Sequence, residues 1–524
     1  MGERDRREAM SRRDFVLQGA VGAAGLAAAG LLGTVPQALA QEATTPRRRP
    51  NVVFIITDDQ NANTLGCFGG QVLTPNIDRL AREGVLFSRN YTTSAICTPS
   101  RYITLTGEYA SRCEAPAFMN NNPAGQQSQV MFNTPLLPGR LNLPTVLQRA
   151  GYATGCAGKW HVGGGPYQKL APDSDLTDPE VGRVMAANQE VLCAFARTCG
   201  FDYAASMYQG NVADYKLNAF VAHNMEWVTK GALDFIDQSK DRPFFLYMAP
   251  TLMHSPFPTR SLRLDPCMTP VGMLPAPITD AQPSRESVFR RVQEAGLPES
   301  AAGATWLDDG VGAVLQRLEK YGLLEDTAVF VFSDNTTQGG KGTCYEGGAH
   351  TPALLRYSGH VPAGTRCDQF VQNIDFAPTI FDLCGVTAPA EMHLDGRSIL
   401  PLVEGKPVTW RDAAFLEVGH VRAVMVGSYK YIALRYPPKL QEQIKNNTLG
   451  RPAYQMDTTF DLEETARKAH PAYFDADQLY DLNKDPGETV NLASDPAYAK
   501  ILSDMKKRLT DWLTTFDRPF GEFC

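Results

Sequence analysis

Two pairs of oxygen-bearing side chains stand out because each directly follows a run of apolar residues. Asp58 and Asp59 follow one run, and Asp334 and Asn335 follow another. Adjacent carboxylates repel each other and are costly to bury unless a cation holds them. An all-oxygen set suits a hard cation such as Ca²⁺ or Mg²⁺ rather than Zn²⁺. The pattern therefore predicts a divalent-cation site, with a solvated turn or a helix cap as the alternative.

A second segment with chemical potential is Cys97-Thr98-Pro99-Ser100-Arg101. Pro99 suits the first turn of a helix, which would place Cys97 at the helix N-terminus. Free amides and the helix dipole favour negative charge there. Arg101, four residues on, can lie on the same face and present a planar fork to an oxyanion. The segment predicts an anion site; a buried or paired cysteine before an ordinary helix is the alternative.

The runs that precede these side chains indicate the scaffold. Residues 52–56, 244–248 and 329–332 are continuous apolar runs, typical of strands buried on both faces. Strands alternating with helices predict a mainly parallel sheet covered on both sides, with ligands outside the carboxyl ends of its strands. His254 follows the second run, so acidic and imidazole groups lie at three predicted strand ends. Helices are expected at 75–84, 99–105, 143–150, 218–238, 303–321 and 373–384.

The last third of the chain changes character. Residues 413–417, 421–426 and 429–434 alternate like short antiparallel strands, residues 481–495 are polar and turn-rich, and residues 498–516 form an amphipathic helix pattern. We therefore expect an α/β domain over 41–405, built on a large mainly parallel or mixed sheet sandwiched by helices. A smaller α+β subdomain over 406–524 is expected to combine a short antiparallel sheet with the terminal helix.

The N-terminus predicts export. Residues 1–14 contain five arginines, including the pair Arg12-Arg13, and no lysine; an Ala- and Gly-rich stretch and Ala38-Leu39-Ala40 follow. Residues 1–40 are interpreted as a twin-arginine signal cleaved after Ala40, with a membrane anchor as the alternative. The mature protein is expected to be periplasmic or secreted and not to span the membrane, with the twin-arginine translocase as a partner.

Composition excludes several classes. Of the 524 residues, 43% are hydrophobic and 20% charged, which is ordinary globular usage and excludes wholesale disorder. The net charge of −7, without a long basic run, argues against a nucleic-acid partner. The chain has 11 cysteines, so complete pairing in an exported protein would leave one thiol over. Cys193 and Cys199 are the expected first disulfide.

Cys97–Arg101, with Leu105-Thr106-Gly107 after it, resembles the signature of the type I sulfatases of the alkaline phosphatase superfamily. Gly151–His161 resembles the second signature of that family. The resemblance spans roughly residues 50–495 in the expected order. It also includes Asp58-Asp59-Gln60, Leu65-Gly66-Cys67, Thr74–Asp78, Ser333-Asp334-Asn335, Lys341-Gly342, Glu346-Gly347-Gly348, Leu479–Leu482 and Asp485–Glu488.

The resemblance implies hydrolysis of sulfate monoesters through a covalent sulfo-enzyme intermediate. In the family the cysteine is oxidised to formylglycine by a formylglycine-generating enzyme, and one Ca²⁺ is bound. The metal ligands implied here are Asp58, Asp59, residue 97, Asp334 and Asn335. The implied catalytic residues are Cys97, Arg101, Lys159, His161, His254 and Lys341.

The resemblance also implies individual roles. Lys159 is a point charge for sulfate oxygens, and Lys341 contacts sulfate or the leaving oxygen. Asp334 assists attack by one hydroxyl of the hydrated aldehyde, and His161 is the base for expelling sulfate. His254 serves the leaving alcohol. A serine has only one hydroxyl and could not expel sulfate by elimination from a second one. This difference is a chemical reason for the modification.

Departures from the family pattern leave the substrate open. Thr336 stands where glycine is usual, Tyr345 replaces a frequent tryptophan, and His350 stands where arginine is common. A sulfated carbohydrate is the expected substrate. The alternatives are a phosphomonoester, phosphodiester or phosphonate hydrolase of the same superfamily, and a non-catalytic protein that binds sulfated glycans. If Cys97 becomes formylglycine, the odd cysteine is the precursor of the nucleophile and ten cysteines remain.

Overall fold

The computed structural model describes residues 49–446 and 460–523. The predicted export signal over 1–40 lies outside the described residues, as does Cys524. Arg48–Cys524 forms one compact unit, and the boundary expected near residue 405 stays a prediction. Among the residues described, no helix is both long and apolar enough to cross a bilayer.

The strands occur in chain order as β1 (Asn51–Thr57), β2 (Val85–Phe87), β3 (Asn90–Tyr91), β4 (Ala153–Lys159), β5 (Tyr203–Tyr208), β6 (Phe244–Ala249), β7 (Met268–Thr269), β8 (Gly272–Met273), β9 (Thr327–Ser333), β10 (Ala353–Arg356), β11 (Thr365–Cys367), β12 (Val371–Gln372), β13 (Ala413–Val418), β14 (Val421–Val426), β15 (Tyr429–Leu434) and β16 (Asp477–Asp481).

The central sheet has eight strands in the order β11-β2-β10-β9-β1-β6-β4-β5. Strand β1 runs parallel to β6 and β9, and β4 runs parallel to β5 and β6. Strand β10 runs antiparallel to both its neighbours. The predicted mainly parallel or mixed sheet is confirmed.

Strand β1 lies at the centre of this sheet and explains its continuous apolar run. Its alternate residues Val52, Phe54 and Ile56 pack into one hydrophobic core, while Val53 and Ile55 pack into the core on the opposite face. Both faces are covered, so neither set of side chains reaches water. The strand is therefore apolar from Val52 to Ile56, with the polar residues Asn51 and Thr57 only at its two ends.

The helices occur in chain order as α1 (Pro75–Arg82), α2 (Cys97–Thr106), α3 (Pro116–Asn121), α4 (Leu143–Arg149), α5 (Pro179–Thr198), α6 (Met225–Ser239), α7 (Pro258–Leu262), α8 (Arg285–Glu294), α9 (Ala302–Lys320), α10 (Glu346–Ala349), α11 (Phe376–Cys384), α12 (Leu400–Val403), α13 (Pro438–Lys445), α14 (Phe460–Ala469) and α15 (Ala499–Leu513).

The predicted helices match these bounds within three residues, with one exception. The helix predicted over 218–238 begins only at Met225, because the side chain of Asn224 accepts a hydrogen bond from the amide of Trp227 and caps the helix there. Several helices were not predicted: α3, α5, α7, α8, α10, α12, α13 and α14, of which α5 (Pro179–Thr198) is the longest.

The expected antiparallel sheet near the C-terminus is present, with strand order β13-β14-β15-β16. Helix α15 packs against β14 and β15, as the predicted terminal helix requires. Strand β16 was missed, because its sequence Asp-Gln-Leu-Tyr-Asp adjoins the polar segment that follows. Its three central residues are nevertheless buried, and it pairs with β15 from Tyr429 to Ala433.

Candidate active site

The parallel pairing of β1 with β9 brings the two predicted oxygen pairs together. Thr57 and Ser333 are paired at the ends of these strands. The residues that follow the two strands therefore begin side by side at the same edge of the sheet. The backbone amide of Asp59 donates to Oδ1 of Asp334 over 3.2 Å. All four side chains predicted as metal ligands from these strand ends are buried. The sheet thus assembles the oxygen cluster from residues 275 positions apart in the chain.

Helix α2 begins at Cys97, with Ile96 as its N-cap residue. The Cys97 thiol donates to Oδ1 of Asp58 over 3.5 Å, and Nδ2 of Asn335 lies 3.5 Å from Sγ. One potential ligand atom from each of Asp58, Asp59, Cys97 and Asp334 lies within 4.8 Å of the others. The predicted nucleophile position therefore adjoins the predicted metal site.

These residues fit a single hard cation. Oδ1 of Asn335 is buried and has no hydrogen-bond partner, which is costly unless a cation or water contacts it. Three buried carboxylates complete an oxygen-rich donor set around residue 97. Such a set suits Ca²⁺ or Mg²⁺ and lacks the nitrogen and sulfur majority that zinc prefers.

Two lysines compensate the first carboxylate pair. Nζ of Lys159 donates to Oδ2 of Asp58 over 2.7 Å, and Nζ of Lys341 donates to both oxygens of Asp59 over 2.6 and 2.7 Å. Lys159 also donates to Oδ1 of Asn211 over 2.5 Å. Both predicted lysines therefore reach the centre of the site, although they come from different parts of the chain.

Arg101 has a different arrangement from the one the sequence predicts. Its Nε and Nη2 both donate to Oδ2 of Asp334, over 3.1 and 2.8 Å. Nη1 donates to the carbonyl of Lys159 and contacts the hydroxyl of Tyr247. The guanidinium is fully buried, so in this structure its fork holds a carboxylate and the backbone beside Lys159 instead of facing an external oxyanion.

The charges of the site decide what it attracts. Its three carboxylates and three basic side chains sum to zero. A bound divalent cation would therefore leave the buried site with a net positive charge. Such a site attracts a small anion, and the low local dielectric strengthens the attraction.

Burial and neighbouring charges separate the acid strengths in this cluster. Burial alone would raise the pKa of Asp58, but Lys159, His254 and Arg101 together hold it well below its usual range. Burial and the Asp58 carboxylate raise the pKa of Asp334 to about 6, against the opposing effect of Arg101. Burial and Asp334 raise the pKa of the Cys97 thiol to about 12. An unmodified Cys97 is therefore a neutral thiol near pH 7.

The two predicted histidines both line the site. His254 follows β6, and its Nε2 lies 3.7 Å from Oδ2 of Asp59; burial lowers its pKa, in opposition to Asp59. The spacing of Lys159 and His161, two residues apart, would place them on one side of an extended segment. The structure differs, because β4 ends at Lys159 and His161 has a φ of 57°. Its backbone carbonyl instead accepts from Oγ1 of Thr98 in helix α2, over 2.8 Å.

Sequence reasoning missed three residues around Lys159 and His161. Asn211 contacts Lys159, Asp214 lies beside the His161 imidazole at 3.6 Å, and the ring of Phe132 packs against that imidazole with centroids 5.5 Å apart. Asn211 and Asp214 form a capping box, a spacing that can be read from sequence. Nothing in the sequence indicates that the box lies against the site.

The three departures from the family pattern are accommodated away from the reacting centre. Thr336 donates through Oγ1 to the carbonyl of Gly347 over 2.8 Å. The ring of Tyr345 stacks on His470 at 3.6 Å, and its hydroxyl donates to Gln478. His350 pairs with Glu346 at 3.1 Å. None of the three has a hydrogen bond or ion pair to a side chain of the oxygen cluster among the contacts of the described residues.

The expected disulfide between Cys193 and Cys199 is absent. Both are buried free thiols, and the other cysteines in the part of the chain that the structure describes are free as well, with Cys67, Cys267 and Cys367 only partly buried. Cys193 lies in α5, and Cys199 caps the end of that helix. Six residues of helix separate positions by about 9 Å along the axis and place them on different faces, so the two side chains diverge.

A buried ion cluster anchors the loop that carries Lys341. Nζ of Lys430 in β15 lies 2.7 Å from Glu346 and 2.9 Å from Glu488, and the Glu346 amide donates to Glu488 over 2.6 Å. Burial lowers the pKa of Lys430, but the two carboxylates outweigh that effect and raise it. The C-terminal sheet thereby fixes the end of the loop between Asn335 and helix α10.

We expect Lys430→Met to destabilise the fold by about 3–5 kcal/mol, because it leaves the buried Glu488 and the partly buried Glu346 without their ammonium partner. Urea unfolding followed by circular dichroism measures the effect. Lys500→Met is the matched control: Lys500 is 85% exposed and pairs with the exposed Asp504, so its loss should cost less than about 1 kcal/mol. Equal small effects of both substitutions would contradict the role given to the cluster.

Comparisons with known proteins agree with this site. A family model described as Sulfatase matches residues 50–386, and one described as N-sulphoglucosamine sulphohydrolase, C-terminal, matches residues 340–443. Human arylsulfatase A is 29% identical, over 88% of this chain and 87% of its own length. The N-acetylgalactosamine-6-O-sulfatase of Bacteroides thetaiotaomicron is 26% identical, over 87% and 92%.

A solved structure described under the metabolism of multiple glycosaminoglycans by Bacteroides thetaiotaomicron has the same fold. It superposes with a TM-score of 0.61 at 21% identity and covers 89% of this chain and 100% of that one. The family match includes both strand-end pairs, the start of α2 and the loop of Lys341, which are the elements that build the site. The chain belongs to the sulfatase family.

Proposed function

We propose that this protein hydrolyses sulfate monoesters, with a sulfated carbohydrate as its substrate. One observation carries the proposal: residue 97, at the start of a helix, meets three buried carboxylates and three basic side chains at the carboxyl ends of the central strands. That arrangement combines a nucleophile position, a place for a cation and charges for an anionic ester. The relative named for N-acetylgalactosamine-6-O-sulfate supports the carbohydrate assignment.

The proposal includes two groups that the chain itself does not encode. Residue 97 is proposed to be matured to formylglycine by a formylglycine-generating enzyme, and its hydrate supplies a hydroxyl nucleophile and a second hydroxyl for sulfate release. Asp58, Asp59, Asp334, Asn335 and residue 97 would hold one Ca²⁺, which would supply positive charge against the sulfuryl oxygens. We further propose export through the twin-arginine translocase to the periplasm or beyond.

The side chains of this chain divide the remaining work. Lys159 and Lys341 attract the sulfate group, each held in place by a carboxylate. Arg101 orients Asp334 through two bonds to one oxygen, so that the carboxylate stays aimed at residue 97. His254 donates a proton to the departing alcohol oxygen. His161 accepts a proton from the second hydroxyl of the matured residue 97.

Substitution of His254 should affect substrates according to their leaving group. We expect His254→Ala to lower kcat by about 10²- to 10⁴-fold on an alkyl or sugar sulfate, whose alcohol needs a proton to leave. The loss on 4-nitrophenyl sulfate should be much smaller, because nitrophenolate is stable without a proton. Steady-state kinetics on both substrates measure the difference, and an equal loss on both would contradict the assignment.

The reaction class is tested with matched aryl sulfate and aryl phosphate substrates. Turnover of the sulfate is expected to be faster. Faster turnover of the phosphate would favour a phosphoester hydrolase, and a panel of phosphonate monoesters would extend the comparison. A further panel of defined sulfated saccharides tests the substrate class. Activity on aryl sulfate alone would overturn the carbohydrate assignment, and binding without hydrolysis would indicate a glycan-binding protein.

A further inference from the structure

We propose that Asp214 is a positioning residue for His161, holding its imidazole with Nε2 protonated and Nδ1 free to accept a proton. This inference rests on the proposed function, because it completes the assignment of His161 as a base. It concerns a short turn over residues 211–215 that follows β5 and that no family motif quoted above includes.

The first support is the environment of the two ring nitrogens. Nε2 of His161 lies 3.6 Å from Oδ2 of Asp214, longer than a hydrogen bond but close enough to tighten into one when substrate is bound. Nδ1 is buried and has no hydrogen-bond partner. A carboxylate beside one nitrogen fixes the proton there and leaves the lone pair on the other, as in carboxylate–histidine pairs generally.

The second support is the space at Gly210. A Cβ atom built on Gly210 would lie 2.3 Å from Oδ2 of Asp214 and 3.0 Å from Cδ2 of His161. Any larger residue would therefore force the carboxylate and the imidazole apart. Glycine at this position allows their approach, and its backbone φ is not among the positive values that would otherwise explain it.

The third support is how firmly both partners are held. Oδ2 of Asp214 accepts from the amide of Asn211 over 2.6 Å, within the capping box. The His161 amide donates to the carbonyl of Gln209 over 3.0 Å, and Phe132 packs against the imidazole. The ring thus contacts both an aromatic side chain and the carboxylate of the turn. Its orientation is fixed before substrate arrives.

The charge state of His161 is consistent with this arrangement. Burial, together with Lys159 and Arg101, holds the pKa of His161 well below its usual value. The imidazole is therefore neutral near pH 7, so only one nitrogen carries a proton. Which nitrogen carries it then depends on the neighbouring acceptor, and Asp214 is the carboxylate in contact.

The experiment uses Asp214→Ala and Gly210→Ala, the second of which separates the pair while keeping the carboxylate. Because His161 acts after the alcohol has left, both variants should slow that later stage. We expect kcat on 4-nitrophenyl sulfate to fall by about 10- to 100-fold, with KM unchanged or lower. Stopped-flow measurement should show a burst of nitrophenol equal to the enzyme concentration, which loss of fold would not produce.

Two controls separate positioning from stability. Val212→Ala loosens the same turn, since Val212 is buried in the core, but leaves Asp214 in place. Gly182→Ala adds a methyl group in helix α5 where nothing lies within 4 Å. Both should keep kcat within about twofold and show no burst.

Three results would overturn the inference. They are unchanged kcat in Asp214→Ala, a raised KM with unchanged kcat, and the same burst in Val212→Ala. A wild-type protein that turns over neither aryl sulfate nor any of the sulfated saccharides would instead contradict the proposed function itself, and the inference with it. The two failures are therefore distinguishable.

Discussion

Replacing Cys97 by alanine is expected to lower kcat on an aryl sulfate by on the order of 10⁶-fold, the size of effect seen when a covalent nucleophile is removed from an enzyme. Residue 97 lies where the carboxylate cluster, Asn335 and the start of α2 meet. The other described members of the cluster are carboxylates, so none of them can take over the role of the nucleophile made from Cys97. The basic side chains would still bind the ester, so the variant should retain substrate binding after it has lost turnover.

The control for this substitution is Cys113→Ala. Cys113 is as buried as Cys97 but lies in the hydrophobic core, with a contact to the carbonyl of Pro135. Its replacement should leave kcat unchanged and cost about 1–2 kcal/mol of stability. Melting temperatures of both variants show whether either has lost its fold. Residual activity of Cys97→Ala near the wild-type level would exclude residue 97 as the nucleophile.

Removal of the divalent cation is expected to abolish turnover while leaving the protein folded. The three carboxylates are each paired with a basic side chain, so the site remains charge-balanced without metal. Stability should fall, because a ligand present at 100 times its Kd contributes about 2.7 kcal/mol to the folded state. Treatment with a chelator, followed by thermal melting and activity assays, measures both effects.

Restoring Ca²⁺ should recover both activity and melting temperature. Asn335→Ala provides a sharper version of the experiment, because it removes a proposed ligand whose buried side-chain oxygen has no hydrogen-bond partner. We expect this variant to need about 10- to 100-fold more Ca²⁺ for half-maximal activity. Full activity of the chelated wild type would contradict the metal assignment.

The site could be predicted from sequence wherever chemistry followed a strand or began a helix. Buried runs end at Asp58 and Asp334, and parallel strands must place those ends together. Pro99 correctly marked the first turn of α2. These inferences needed only local patterns and one topological rule, which is why they were accurate.

Other features could not be predicted, because they depend on packing between distant segments. The position of Arg101 four residues after Cys97 predicts a guanidinium that binds an external anion. In the structure the guanidinium instead binds the carboxylate of Asp334, 233 positions later in the chain. Asp214 belongs to an ordinary capping box, and only the fold places it beside His161. A lysine in a strand suggests a solvent-exposed side chain. Lys430 is nevertheless buried, because it forms ion pairs with Glu346 and Glu488 from other segments of the chain.

The disulfide expectation failed for a related reason. It rested on the number of cysteines and on the short distance in sequence between Cys193 and Cys199. Neither determines in which direction the two side chains point. The helix that connects Cys193 to Cys199 turns their side chains apart. All the cysteines that the structure describes are free thiols, and Cys97 is distinguished from the others by its place beside the oxygen cluster.

The central claim is that residue 97 acts as an aldehyde made from cysteine, and mass spectrometry of the active protein tests it most directly. Trypsin should release the peptide 90–101, which begins after Arg89 and ends at Arg101. We expect a mass about 18 Da below that of the cysteine-containing peptide, the difference between a thiol and an aldehyde at this carbon. An active preparation in which this peptide carries only unmodified cysteine would exclude formylglycine as the nucleophile.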